Sequence, residues 1–128
     1  MKGTVGVWID HKQAFISFAG QQPQRVESAM ESRHRYSGRA LEENGSADNQ
    51  LDRQYYTHLN NYYDRVISLI AGAESILIFG PGEAKTEFKS RLQHHKRGDH
   101  IAKIETAGKM TPGQIAAKTR DYFKLSVD

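Results

Sequence analysis

The sequence predicts an α/β domain on a mixed sheet, its elements running βββ-α-β-α-β-α. Three observations predict it. Strand-like runs follow one another at hairpin spacing from Thr4 to Met30, apolar residues over 51–70 recur at helical period, and a continuous apolar run over 75–79 precedes a second helical stripe. A meander followed by alternating helices and strands makes the later strands parallel, joined by right-handed crossovers.

Thr4–Ile9 is rich in β-branched and aromatic residues, as a strand should be. Asp10-His11-Lys12 supplies a turn, and Gln13–Phe18 alternates Ala14, Ile16 and Phe18 against Phe15 and Ser17. Ala19–Pro23 breaks the chain, and Gln24–Met30 alternates again with Val26, Ser28 and Met30 on one side. Ser37–Gln50 has loop composition and exceeds the usual connection length, a mark of functional or mobile segments. Leu51, Tyr55, Leu59, Tyr62, Val66, Leu69 and Ile70 then trace a helix, with Asp48 or Asn49 as its expected cap and Gly72 as its expected C-cap glycine. Ser75–Phe79 reads as a strand buried on both faces. Gly80-Pro81-Gly82 turns the chain into a helix striped by Ala84, Phe88 and Leu92. Lys96–Asp99 is a turn, Ile101–Thr106 a strand, and Thr111-Pro112-Gly113-Gln114 a capping box with proline at the first helical position. Ile115, Thr119, Tyr122 and Phe123 line one face of that last helix. This order is that of the ribonuclease H-like fold class, on one domain spanning 1–128 with a flexible loop at about 37–50.

Composition narrows the function. Hydrophobic and charged contents of 38% and 26% suit a globular chain. No apolar stretch nears the roughly 20 residues of a membrane helix, and no basic leader with a long apolar core opens the sequence. There are no cysteines, which removes disulfides, thiolate metal sites and cysteine nucleophiles and suits a cytoplasmic protein. The net charge of +3 favours an anionic partner. Its distribution is uneven: Arg25, Arg33, His34, Arg35 and Arg39 form one basic stretch, and Lys85, Lys89, Arg91, Lys96, Arg97 and Lys103 another. Acids gather at Glu42, Glu43, Asp48 and Asp52.

Three stretches resemble one family. Val5–Ala14 is similar to the opening hairpin of the middle domain of the eukaryotic and archaeal peptide-chain release factors and of Pelota. Ile76–Phe88 resembles that domain's strand, Gly-Pro-Gly turn and helix, and Ile104–Thr106 with Thr111–Phe123 its last strand and helix. Free-standing bacterial relatives share the shape. The resemblance implies action at the ribosome, in contact with ribosomal RNA and tRNA. Release factors carry Gly-Gly-Gln in the loop before the long helix, where the glutamine positions the water that hydrolyses peptidyl-tRNA. Here that loop reads Asn44-Gly45-Ser46-Ala47-Asp48-Asn49-Gln50. Gln50 is near the expected place, but the paired glycines are absent and Asp48 would repel phosphate. Pelota also lacks the tripeptide. Neither a stop-codon-reading domain nor a C-terminal partner-binding domain is present in these residues, so codon-specific release is not expected.

Candidate sites follow. Gly80, Pro81 and Gly82 lie before a helix N-terminus suited to an anion, with Lys85 in its first turn; a tight strand-to-helix turn explains the same residues. Arg33, Arg35 and Arg39 can hold RNA phosphates or guard a sheet edge with charge. Lys89 extends the second basic stretch, where Glu87 and Arg91 have the spacing of an ion pair. Adjacent His94 and His95 point about 100° apart on a helix and make no ready pair of metal ligands. Tyr55 and Tyr62 fall on the apolar stripe, Tyr56 and Tyr63 beside it, and Trp8 inside a strand. Asp10 suits a hairpin turn; as a nuclease ligand it would need carboxylate companions, of which Glu74, Glu83 and Asp121 are the options. The leading expectation is a non-enzymatic binding module for the ribosome, rRNA or tRNA, with a role in rescue, stalling or hibernation and no cofactor, metal or membrane. The alternatives are a peptidyl-tRNA hydrolase using Gln50, a metal-dependent nuclease using Asp10, and a protein-interaction module that binds no RNA.

Overall fold

The structure is a computed structural model that describes residues 3–19, 21–28 and 45–126; for 45–52 and 125–126 it describes the backbone alone. Five strands form one sheet: β1 (Thr4–Ile9), β2 (Gln13–Phe18), β3 (Gln24–Glu27), β4 (Ser75–Gly80) and β5 (Ile101–Thr106), in spatial order β3-β2-β1-β4-β5. The first three pair antiparallel, while β4 runs parallel to both β1 and β5. With helices α1 (Gly45–Leu69), α2 (Ala84–His94) and α3 (Pro112–Ser126), this is the α/β mixed-sheet class expected from the element order.

Alternation along the strands divides the core in two. Val5, Val7, Ile9, Ile16, Ile76 and Ile78 pack with Tyr55, Leu59, Tyr62, Tyr63 and Val66 of α1 and with Phe88 and Leu92 of α2. On the opposite face Trp8, Leu77 and Phe79 pack with Ile115 and Phe123 of α3. Among the described residues, two helices thus cover one face and one helix covers the other. The central strands β1 and β4 are apolar on both faces, as parallel strands buried between layers must be.

Two close approaches depend on glycine. A Cβ on Gly6 would lie 1.9 Å from Thr119 Oγ1, so α3 rests directly on the β1 backbone. A Cβ on Gly80 would lie 2.3 Å from the Ile9 carbonyl oxygen, which lets β4 turn away beside the end of β1.

Helix ends bring one success and two corrections. The capping box forms: Gln114 N–H donates to Thr111 Oγ1 at 3.1 Å, and Thr111 N–H to Gln114 Oε1 at 2.9 Å. By contrast α1 begins at Gly45, so residues 45–50 extend the helix backward instead of closing a loop, and Asp48 and Asn49 lie inside it. Gly72 is not a left-handed cap either. Positive φ is confined, among the described glycines, to Gly80 and Gly82. The end of α1 tapers instead: Ile70 N–H is shared between the Val66 and Ile67 carbonyls, and Arg97 donates to the Ala71 carbonyl at 2.8 Å. The α2 end does use a left-handed residue, Lys96, with Arg97 N–H bonded to Leu92 O and Lys96 N–H to Gln93 O.

Candidate functional site

The chemistry-bearing side chains that the fold brings together lie where the β1–β2 hairpin turn, α1 and α2 meet. The turn is built by Asp10, whose Oδ1 accepts from the N–H groups of Lys12 and Gln13 at 2.8 Å each. Next to it His11 Nε2 lies 3.0 Å from Glu87 Oε1 of α2. The same oxygen accepts from the Tyr63 hydroxyl of α1 at 2.7 Å. Tyr62, one residue earlier, donates to the Asp10 carbonyl at 3.0 Å. Burial pushes both tyrosine hydroxyls far above the ordinary phenol range, and the Glu87 carboxylate adds to this at Tyr63, as the Asp10 charge does at Tyr62. Both stay neutral donors. Glu87 thus fixes the His11 ring at the C-terminal ends of β1 and β4, the end of a parallel sheet where ligands commonly gather.

A second cluster stands along the α1–α2 seam. Arg91 grips Asp64 in a two-pronged pair, Nε to Oδ1 at 2.7 Å and a terminal nitrogen to Oδ2 at 2.9 Å. His95 Nε2 adds a contact to Oδ1 at 2.9 Å. The Arg91 hydrogen bonds, helped by His95 and opposed by partial burial, hold the Asp64 carboxyl down at about 2. On the other face Glu105 of β5 sits between Lys118 of α3 at 2.7 Å and Lys103 at 3.0 Å. Lys118 first, then Lys103, keeps its carboxyl below the usual range.

These contacts revise several expectations. Glu87 and Arg91 do not pair with each other; each reaches across to α1, because the α2 face carrying them is packed against that helix. His95 holds Asp64, and Tyr63 is fully core while Tyr56 is exposed. Trp8 is buried and donates its indole N–H to the Gly108 carbonyl at 3.0 Å. Gly80, Pro81 and Gly82 form the turn before α2, and Lys85 donates its ammonium to the Gly82 carbonyl, folding back on the turn. Lys89 is half-buried on α2, outside any ion pair among the described residues. Gln50 is in the second turn of α1 by its backbone, not in a loop. Arg33, Arg35 and Arg39 lie outside the described residues. Glu74, offered as a companion for Asp10, adjoins Gly3 at the other end of β1, and Asp121 pairs with Arg120. No group of three or more His, Asp or Glu suited to a metal occurs among the described residues.

The His11–Glu87–Tyr63 cluster had no local signature, since its members are 24 and 76 positions apart. Elsewhere a concavity of about 440 Å³ is lined, among the described residues, by Arg53, Gln54, Thr57 and His58 on the outer side of α1. No helix among the described residues is long and apolar enough to cross a membrane.

No protein-family model matches this chain, and no curated protein matches it. Among solved structures it is similar to an archaeal translation termination factor, aRF1, with 12% identity over 96% of this chain and a TM-score of 0.49. The chain spans 40% of the length of that factor.

Proposed function

We propose that this chain is a ribosome- or RNA-associated binding module of the translation apparatus that acts without codon-specific release. The observation that carries the reading is the contiguity of the three stretches that resemble the release factor and Pelota middle domain. The β1–β2 hairpin, the β4–turn–α2 unit and the β5–α3 unit are sheet neighbours centred on β1 and β4. The net charge of +3 supplies the attraction that a polyanionic partner needs. In this mechanism Arg33, Arg35, Arg39, Lys85 and Lys89 dock on phosphates, and Gly80, Pro81 and Gly82 lead into α2's N-terminus, whose free N–H groups suit an anion. Lys85 would exchange the Gly82 carbonyl for a phosphate oxygen on contact. Binding is favoured over peptidyl-tRNA hydrolysis because Gln50 belongs to a helix that lacks the paired glycines.

Co-sedimentation with purified ribosomes at graded salt tests this. The bound fraction is expected to fall steeply as salt rises, and Arg35→Ala combined with Lys89→Ala should lower the salt slope by about 2. Folded protein that fails to bind ribosomes at low salt would overturn the reading. A partner captured equally before and after RNase treatment would assign the surface to protein contacts instead.

A further inference from the structure

Among the described residues the sheet ends on β5, which pairs there with β4 alone. Their ladder is regular from Leu77 opposite Lys103 to Gly80 opposite Thr106. Ala107 N–H donates to the Gly80 carbonyl at 3.0 Å, so the amides of Glu105 and Lys103, two and four residues earlier, also turn toward β4. Ile104 and Thr106 therefore direct their backbone N–H and C=O groups to the free edge. Lys103 and Glu105 flank Ile104 on the α3 face, and the Lys103 side chain is 52% exposed. The pattern along this edge is cation, aliphatic, anion. Such a pattern is complementary to itself when reversed.

The geometry points to a second copy of this chain as the occupant of that edge, paired antiparallel about a two-fold axis at Ile104. Ile104 then meets Ile104 of the other copy as a hydrogen-bonded pair, using the groups that face outward. Lys103 of each copy stands opposite Glu105 of the other in a non-hydrogen-bonded pair, the arrangement that brings opposed side chains closest. Charge also selects the register. Sliding by two residues sets Lys103 against Lys103 or Glu105 against Glu105, and sliding by one flips every side chain to the wrong face. Glu105 can serve both partners, because Lys118 occupies Oε1 and leaves Oε2 to lysine 103 of either copy. The opposite edge is a poorer match: β3 has four residues, and Arg25 is already bound to Gln13 as well as to Glu27. The irregular register at Ile76/Leu77 leaves Ala102 without a regular partner and keeps the new ladder short. The association is accordingly weak and concentration-dependent. It stands apart from ribosome binding.

Sedimentation velocity of the intact chain over a wide concentration range tests the proposal. Wild-type protein is expected to show a monomer–dimer equilibrium. Lys103→Glu and Glu105→Lys, each like-charged at both opposed pairs, should weaken self-association about tenfold. An equal mixture of the two variants restores opposite charges at both pairs and should recover the wild-type constant. This separates edge pairing from damage to the fold. A wild-type chain that stays monomeric throughout, a dimer indifferent to Lys103→Glu, or variants that fail to complement in the mixture would each overturn it.

Discussion

The two faces of the sheet are secured by different means. On the α1/α2 face a broad apolar core is crowned by polar clamps: Tyr63 and His11 on Glu87, and Arg91 and His95 on Asp64. On the α3 face the core is smaller, the polar clamp is the single Lys118–Glu105 pair among the described helix–sheet contacts, and the helix comes closest where Thr119 lies over Gly6 and no Cβ intervenes. The broad face has many contacts to share a perturbation. The narrow face has fewer, with Ile115 and Phe123 in its core and Lys118 on Glu105, so a change at the Gly6–Thr119 approach should cost more there.

The largest expected effect tests that approach. Gly6→Val places a side chain where Thr119 stands and should destabilise the protein by about 3 kcal/mol, read as a lower midpoint in urea unfolding. Adding Thr119→Ala should recover part of the loss, whereas no recovery would mean that α3 does not bear on this point. A smaller effect belongs to the clamps. Tyr63→Phe removes the hydroxyl from Glu87 but leaves His11 and water to the partly exposed carboxylate, so about 1.5 kcal/mol should be lost. A loss equal to that at Gly6 would erase the contrast between the faces. The smallest concerns acid. Asp64 titrates at about 2 in the folded chain against 3.8 as its ordinary value, so its contribution is full above pH 3.8 and disappears as pH falls through about 2. With the carboxylate about a third exposed, solvent trims this below about 1 kcal/mol. Asp64→Asn should flatten that limb of a stability–pH curve and leave the rest of its shape unchanged.

Much of this architecture was legible because local signals and global packing agree. The capping box at Thr111 and Gln114 is satisfied within one turn, and the continuous apolar run at Ser75–Gly80 allows no solvent-facing side. The start of α1 was hidden. Gly45-Ser46-Ala47-Asp48-Asn49-Gln50 has loop composition, but extending a helix already nucleated downstream costs little per residue. Glycine within the β1 pattern did carry a signal of close approach, though not its partner, which lies 113 positions away at Thr119. The clamps were illegible for the same reason. Glu87 and Arg91 satisfy a helix-surface rule on paper, and only the placement of α1 redirects them to Tyr63 and Asp64.

The single tryptophan of the chain is Trp8, shut into the α3 face and tethered to Gly108 in the connection leading to that helix. Tyr55, Tyr62 and Tyr63 sit on the other side of the sheet. Tyr122 lies with Trp8 on the α3 side, so the indole alone is confined to one face of the sheet. Emission excited in the indole band therefore follows the docking of α3, while far-ultraviolet circular dichroism follows the backbone of the whole fold. Comparing the two shows, in one cuvette and without a label, whether α3 comes away with the rest of the fold or before it.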